Sequence, residues 1–579
     1  MALAARCGTL HTKRSHSSRT GDAVTPSPSF SLLTQPWIRC DMLGGSVQEL
    51  SLRDLFDGEH RILRIRGDSP TQDYAILRLI LVILWCAHRP DEALADEQDP
   101  YRFDDWWEQA LAQAISGGRD EVVLDYLERH AERFDLLHPS APFMQVADLD
   151  TAKGTRLPVR RIIPEAEQDY FTMRAGRELE SLNLAEAARW LVTAQAYDYS
   201  GIKSGAMGDP RVKGGKGYPI GQGWTGLTGG VVIHGRSLRE TLILNTPARL
   251  VMAPQMRADL PVWERLPDGA AERPSPIPTG PCDLLTWQSR RIRLFTEEGR
   301  VVSVLVSNGD KIPEAGANIL VDPMTPYRYS TNKSKKGSPV FYPRPHDAEQ
   351  TVWRSLEPLL VREGVVVDLP GGGRVKGAQP PKAPTTITSL TELRHEGILG
   401  EEPLTVELVS VRYGPQAASV SQVVSTSVEL PHAVLASRNP LLAETLVEAG
   451  RRAREAAVRY GRYAGNLLVA AGGDYVYQAG AAASVLDALE PAFRSWLVSV
   501  DEQDPDAALA TWSRLIERRV LEMAATLLSG AGPKALAGRV VEHNGSPRLV
   551  SAGTAFQQLQ RDLRALLPHP DSSKEETHV

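Results

Sequence analysis

A chain of 579 residues with 42% hydrophobic and 23% charged side chains is long enough for two or more globular domains around sizeable cores. Its formal charge of −6 excludes a globally basic nucleic-acid binder, so any contact with DNA or RNA must come from local patches. The four cysteines, Cys7, Cys40, Cys86 and Cys282, are isolated in sequence, which excludes a CxxC zinc centre, argues against a disulfide framework and suits a reducing, cytoplasmic setting.

Residues 1–29 are rich in Ser, Thr, Arg and Pro and lack a continuous apolar stretch, which predicts a flexible tail and not a secretory signal. Trp37, in LLTQPWIRC, reads as a core anchor near the start of the fold. The run AILRLILVILWCA at 75–87 is interrupted by Arg78 and falls short of the ~20 residues of a membrane span, so it predicts a buried helix and no membrane contact. From 30 to 428, short β-like runs (VVSVLV, REGVVVDLP, LTVELVSVRYG) mix with helical patches and with Gly/Pro loops such as 266–281 and 369–384. Trp287, in LLTWQSRRIRL, reads as a structural residue at the start of a strand, and TNKSKKGSP at 331–339 as a solvated loop. From 429 to 568 the texture changes to Ala/Leu/Arg/Glu-rich periodic segments, with helices expected at 432–448, 449–471, 475–501, 505–529 and 552–567. Residues 569–579 form a second polar tail.

The stretch RVKGGKGYPIGQGWTGLTGG, residues 211–230, holds eight glycines, with Lys213 and Lys216 beside them. Such density weakens helix and strand alike and implies a backbone that must come close to something. Gly221, Gly223 and Gly226 spell GxGxxG, but a dinucleotide site needs a strand before and a helix after, and LTGGVVIHG reads as strand or loop. A phosphate loop fails as well, because Gly217 follows Lys216 where a Ser or Thr should hold the metal. There is no HExxH, no GxSxG and no carboxylate cluster with metal spacing, so no catalytic residue, metal or cofactor is assigned. His395-Glu396 reads as a surface pair. Two other classes stay open on the residues alone: an enzyme with an unrecognised nucleotide site at the glycine loop, or a structural scaffold of a ribonucleoprotein.

In the segment starting at Arg451, helical spacing puts Arg451, Arg452, Arg459 and Arg462 within an arc of about 100°, opposite a core-like face of Ala453, Ala456, Ala457, Tyr460, Tyr463, Ala464, Leu467 and Leu468. The arc is either a solvated face or a track for a phosphate backbone, with Glu455 the acid that dilutes it.

LLTQPWIRC, APFMQV at 141–146, the glycine loop leading into HGRSLRETLILNT, then LLTWQSRRIRL, DPMTPYRYS and RYGPQAAS occur in this order. The ordered set, from about Ser31 into the C-terminal helices, resembles the large subunit of the type I-E CRISPR surveillance complex Cascade, the CasA family. The resemblance implies an α+β fold, with a large mixed α/β N-terminal domain followed by a C-terminal four-helix bundle. It implies a non-catalytic subunit that reads the short PAM beside a target through the minor groove and helps open the duplex in antiviral defence. By resemblance, the PAM contacts fall on Gly214, Gly215, Lys216 and Gly217 of KGGKGY, with Lys311 of SNGDKIP as a lysine finger. Gln416 and Ala417 of RYGPQAAS match a wedge, and Phe171, with Tyr170 as competitor, matches an aromatic contact to the guide RNA's 5′ end. The four arginines would hold the displaced single strand. The implied partners are the other Cascade subunits, the guide RNA, double-stranded target DNA with a PAM, and a helicase–nuclease recruited in trans.

Overall fold

The computed structural model describes residues 29–89, 101–164, 180–335, 337–346, 381–431, 440–501, 503–543 and 546–568, with the single positions 379 and 434. The run REGVVVDLP lies outside the described residues.

The apolar run of 75–87 becomes the centre of the Pro70–His88 helix. Ser69 caps it by accepting from the Gln72 N–H, Pro70 occupies the first turn, where its missing N–H costs nothing, and Asp73 faces the positive end of the helix dipole. By length and composition this helix could cross a membrane, yet 83% of its apolar window is buried inside the protein. Arg78, which breaks the run, is buried with Asp322 of the DPMTPYRYS motif at 2.9 Å, their side chains 1% and 0% exposed. The same Asp322 oxygen accepts the Trp224 indole N–H at 2.7 Å, and its other oxygen accepts the Met324 N–H at 3.0 Å. One carboxylate thus joins the central helix, the glycine-rich segment and a motif some 240 residues downstream.

Three antiparallel sheets of three strands surround this core: Val47–Leu50, Ile38–Met42 and Ile62–Ile65; Leu157–Pro158, Arg300–Asn308 and Arg290–Glu297; and Val420–Leu430, Leu404–Tyr413 and Gly230–His234. The VVSVLV and LTVELVSVRY runs form strands as expected. Trp37 is buried, with its indole N–H on the Leu32 carbonyl at 3.0 Å. Trp287 is buried just before the Arg290–Glu297 strand.

The C-terminal helices run Pro440–Ala470, Ala479–Val498, Pro505–Ser529 and Ala552–Leu566. The break expected between 448 and 449 is absent, since one helix runs Pro440–Ala470 (432–433 and 435–439 lie outside the described residues): the buried stripe Leu442, Leu446, Ala449, Ala453, Ala456, Tyr460 and Tyr463 continues without interruption. Its burial outweighs the roughly 1 kcal/mol that Gly450 costs in a helix interior. Phe493, Trp496 and Trp512 cluster with ring centroids 5.3–5.4 Å apart and join three of these helices, with the Trp512 indole on the Ala449 carbonyl at 3.0 Å. A short Pro533–Ala537 helix and the hairpin of Arg539–His543 and Ser546–Val550 stand between the third and fourth, where no element was expected.

The Arg78–Asp322 pair yields a stability test. Asp322→Ala strands a buried guanidinium and should cost about 3–5 kcal/mol in denaturant unfolding, while Arg78→Met with Asp322→Leu should recover part of that loss. A loss from Asp322→Ala below about 1 kcal/mol would remove the pair from this role.

Candidate nucleic-acid interface

The glycine stretch divides into two parts with different physical needs. Lys213 and Lys216 bond to each other through both backbone N–H groups, at 3.0 and 3.1 Å, closing a two-residue turn. Gly214 and Gly215 at its tip have φ of 59° and 73°, the pattern of a type I′ hairpin, where any side chain is strained. A Cβ at either glycine would meet nothing within 4 Å, so the tip is exposed and bare. Behind it, Lys216–Gly217 pairs with Lys203–Ser204. Gly217 is buried against the Asn308 amide, which donates to the Tyr218 carbonyl at 2.6 Å. Gly223 and Gly226 serve packing instead: a Cβ at Gly223 would strike the Ala196 carbonyl, and one at Gly226 the Tyr413 hydroxyl. A short 3-10 turn, Trp224–Leu227, and then the Gly230–His234 strand follow, so the dinucleotide reading of GxGxxG fails.

Lys311 is exposed on a fixed base. The carbonyl of Asp310 accepts the Trp287 indole N–H at 2.9 Å, its carboxylate holds Arg291 at 2.7 Å, and the Lys311 N–H donates to Glu272 at 2.8 Å. Glu272 also pairs with Arg211 at 3.0 Å, and Arg211 donates to the Gly309 carbonyl at 3.0 Å and clamps Asp209 through two nitrogens. Lys311 and the foot of the glycine hairpin therefore share one carboxylate.

Gln416 and Ala417 sit in the connection between Leu404–Tyr413 and Val420–Leu430, which the Gly414 N–H closes on the Ser419 carbonyl at 2.9 Å. Both adopt left-handed backbone, φ 57° and 51°, and Gln416 is exposed. Such conformations cost about 1–2 kcal/mol each for a residue with a Cβ and persist only when the surrounding structure holds them.

The two hairpins, though not Lys311, are tied to Tyr197–Asp198–Tyr199, at the end of the Leu184–Tyr197 helix. The Tyr197 carbonyl accepts the Tyr413 hydroxyl at 2.6 Å, from the foot of the RYGPQAAS hairpin. Asp198 pairs with Arg161 at 2.8 Å, with Lys203 at 3.0 Å, and with Arg290. Lys203 belongs to the strand that pairs with Lys216–Gly217 at the base of the glycine hairpin, and its ammonium lies 3.9 Å over the Tyr199 ring. Burial would raise the Asp198 carboxyl, but Arg161, Arg290 and Lys203 hold it well below the usual carboxylate range. Burial, aided by Arg161 and Arg290, pushes the Lys203 ammonium down to about 7 against the pull of Asp198. Phe171 and Tyr170 lie outside the described residues; Arg161 stands a few residues before them.

The arginine face needs correction. Glu455 is not its only diluting acid: Glu448, one turn earlier, binds Arg451 at 2.6 Å and Arg452 at 2.9 Å, while Glu455 binds Arg451 and, at 2.9 Å, Arg459. Arg452 also donates to Ser513 of the neighbouring helix at 2.7 Å and is largely covered. Arg462 is exposed and carries no ion pair among the described residues. The predicted cationic track is thus partly a compensated ion-pair network, because helical spacing locates neighbours on one helix and not which partners fold against it.

Asp198, Glu272, Arg211 and Asn308 escaped sequence reasoning. The Asp209–Arg211 and Asp198–Lys203 pairs are local in sequence; the remaining contacts of these residues act across tens to a hundred residues. The fold also brings two cysteines together: the Cys86 and Cys282 sulfurs lie 3.6 Å apart as free thiols, although nothing in their spacing links them. Asp54, Asp57 and His60 gather within reach of one another, but Asp54 and Asp57 already accept the Ser51 and Glu59 N–H groups.

The sequence pattern of the family CRISPR-associated protein Cse1 matches residues 31–523. The chain is 30% identical over 343 residues to the CRISPR-associated protein CasA/Cse1 of Thermus thermophilus, a match covering 58% of this chain and 61% of that relative. It is similar to the crystal structure of Thermobifida fusca Cse1, with a TM-score of 0.79 and 35% identity over 93% of this chain and 98% of that one. A chain of a CRISPR RNA-guided surveillance complex shares the fold, at a TM-score of 0.64 and 21% identity over 93% of this chain and 99% of that one. With most of its length matched by the family pattern and its fold shared with a Cse1 structure at 35% identity, this chain belongs to the Cse1 (CasA) family, the large-subunit family of type I-E Cascade.

Proposed function

We propose that this chain is the non-catalytic DNA-reading subunit of a CRISPR surveillance complex, recognising a PAM from the minor groove and helping to open the target beside it. The observation that carries this reading is a bare glycine turn that shares Glu272 with an exposed lysine and is tied, like a strained glutamine turn, to residues 197–199. Minor-groove hydrogen-bonding patterns are degenerate, so a close-fitting backbone and one or two cations give relaxed reading of related sequences. The Gly214–Gly215 tip offers backbone without side chains, and Lys216 and Lys311 supply charge. Unstacking one base step costs a few kcal/mol, which a side chain held in a rigid, left-handed turn can help offset before guide pairing begins. The partners in this reading are the other Cascade subunits, the guide RNA, a PAM-bearing duplex, its displaced strand on the C-terminal helices, and a helicase–nuclease recruited afterwards.

The test is reconstitution with the remaining Cascade subunits and a guide, comparing target affinity with and without a PAM. Equal affinities would leave a structural scaffold; tight nucleotide binding or turnover by the purified chain would favour an enzyme.

The two kinds of glycine separate under substitution. Gly215→Val should weaken PAM-bearing targets about tenfold while leaving thermal unfolding nearly unchanged, because only the open turn is distorted. Gly217→Val presses on Asn308, so it should lower both affinity and unfolding temperature. Undiminished PAM binding by Gly215→Val would take the turn out of the interface.

Gln416→Ala should slow opening of a fully paired target yet matter little on one with a mismatch bubble next to the PAM, where the unstacking cost is already removed. A folding defect or a lost phosphate contact would impair both DNAs alike, and equal losses would sink the wedge assignment.

Among the arginines, Arg462→Ala should reduce the slope of log affinity against log salt by about 1, uniformly across target sequences. Arg452→Ala should chiefly lower thermal stability, because it removes one of the two cations on Glu448 and the donor to Ser513 of the neighbouring helix. A salt slope unmoved by Arg462→Ala would make the face a merely solvated one.

A further inference from the structure

The loop between the first two C-terminal helices presents Tyr475, Val476 and Tyr477 to solvent, at 51%, 57% and 40% exposure. Apolar side chains so placed are not the result of a loose loop, because both of its ends are fastened. The Gly473 N–H donates to the Leu468 carbonyl at 2.9 Å, and Arg539 donates to the Gly473 carbonyl at 2.6 Å. At the other end the Gln478 N–H donates to the Gly461 carbonyl at 3.3 Å, and the Gln478 amide to the Val476 carbonyl at 2.9 Å.

Each tyrosine ring lies over a glycine of the Pro440–Ala470 helix. A Cβ at Gly461 would sit 2.7 Å from the Tyr477 ring, and one at Gly465 would sit 2.9 Å from the Tyr475 ring. The helix therefore supports one side of each ring, and roughly half of each residue stays open to water. Gly461 and Gly465 share an arc of the helix with Arg454, Val458 and Arg462, since these positions fall within about 100° of one another at helical spacing. Arg454 and Arg462 carry no ion pair among the described residues, in contrast to Arg451, Arg452 and Arg459. Asp474 is the one acid in the loop.

We infer that Tyr475 and Tyr477, with Arg454 and Arg462, form a stacking platform for unpaired bases of a single nucleic-acid strand. Supported rings with open faces, interleaved with uncompensated guanidiniums, suit a polymer whose bases offer flat apolar surfaces and whose backbone offers regular negative charge. A protein partner would also cover apolar rings, but two unpaired arginines beside them favour an anionic chain. Stacking needs no base-specific hydrogen bond, so the platform tolerates any sequence. The inference rests on the reading that the displaced strand runs over the C-terminal helices, and it moves the centre of that path from the paired arginines 451, 452 and 459 to the loop beyond them.

The test uses the full chain assembled in its complex, with a target whose displaced strand carries 2-aminopurine, and separately the full chain with oligo(dT). Tyr475→Ala and Tyr477→Ala should each weaken oligo(dT) about tenfold. The same variants should restore 2-aminopurine fluorescence otherwise quenched by stacking. Tyr475→Phe and Tyr477→Phe keep the rings and should keep both signals. The alanine variants should leave the salt slope in place, whereas Arg454→Ala with Arg462→Ala should flatten it. If the arginine pair flattens the slope and the tyrosine variants change neither signal, the platform is overturned and the strand path stands. If neither set has any effect, the strand path fails with it. If the alanine variants lose other subunits on purification while oligo(dT) affinity is kept, the loop is a protein contact and the inference is overturned. PAM affinity measured in parallel isolates all of these outcomes from the glycine turn.

Discussion

Asp198 holds three cations, Arg161, Lys203 and Arg290, drawn from three separate parts of the chain. A buried carboxylate deprived of a partner costs several kcal/mol, so each of the three segments is fixed by the electrostatics of one site. The strand at the base of the glycine hairpin pairs with the strand of Lys203, and the RYGPQAAS hairpin is pinned through Tyr413 to the residue just before Asp198. Burial first, and then the two arginines that share the anion, push the Lys203 ammonium down to about 7, while the three cations hold the Asp198 carboxyl low. The cluster is a positioning device: it lies beneath the exposed tips.

Rigid feet and bare tips recur across the candidate interface. Lys311 is locked at its backbone by Glu272 and through its neighbour Asp310, while its side chain remains in solvent. Gly214 and Gly215 stand in open space on a hairpin whose base is clamped by Arg211 and Asn308. A protein that reads DNA through backbone and a few charges gains affinity chiefly from such preorganisation, because little motion has to be lost on binding.

Charge follows the same economy. With a net charge of −6, the molecule does not attract nucleic acid over its whole surface. Several of its arginines are internal: Arg78, Arg290 and Arg291 are buried with carboxylates, and Arg451, Arg452 and Arg459 are compensated by glutamates on their own helix. Uncompensated cations at Lys311, Arg454 and Arg462 therefore stand out locally.

Much of the fold was legible in the amino-acid sequence, because hydrophobic period and turn chemistry are local properties. The 75–87 run had to be a buried helix, the third C-terminal helix matched 505–529 at both ends, and the strand before RYGPQAAS follows from its β-branched run, whereas its partner Val420–Leu430 was not read. The glycine density of 211–230 likewise announced a bare backbone, though not that the turn would fall at Gly214–Gly215. Sequence did not divide the glycines into those needed for positive φ and those pressed against Ala196 or Tyr413, because that depends on what packs behind them. Nor did it reveal that 432–448 and 449–471 would fuse, since a continuous buried stripe exists only once the other helices cover it. Asp198, Glu272 and Asn308, the thiols of Cys86 and Cys282, and the tyrosines seated on Gly461 and Gly465 became neighbours only through folding. Local pattern determined which elements form and which residues could be exposed. Tertiary structure alone decided which buried charges meet, because a Coulomb or hydrogen-bond partner is selected by distance in space and carries no periodic signature along the chain.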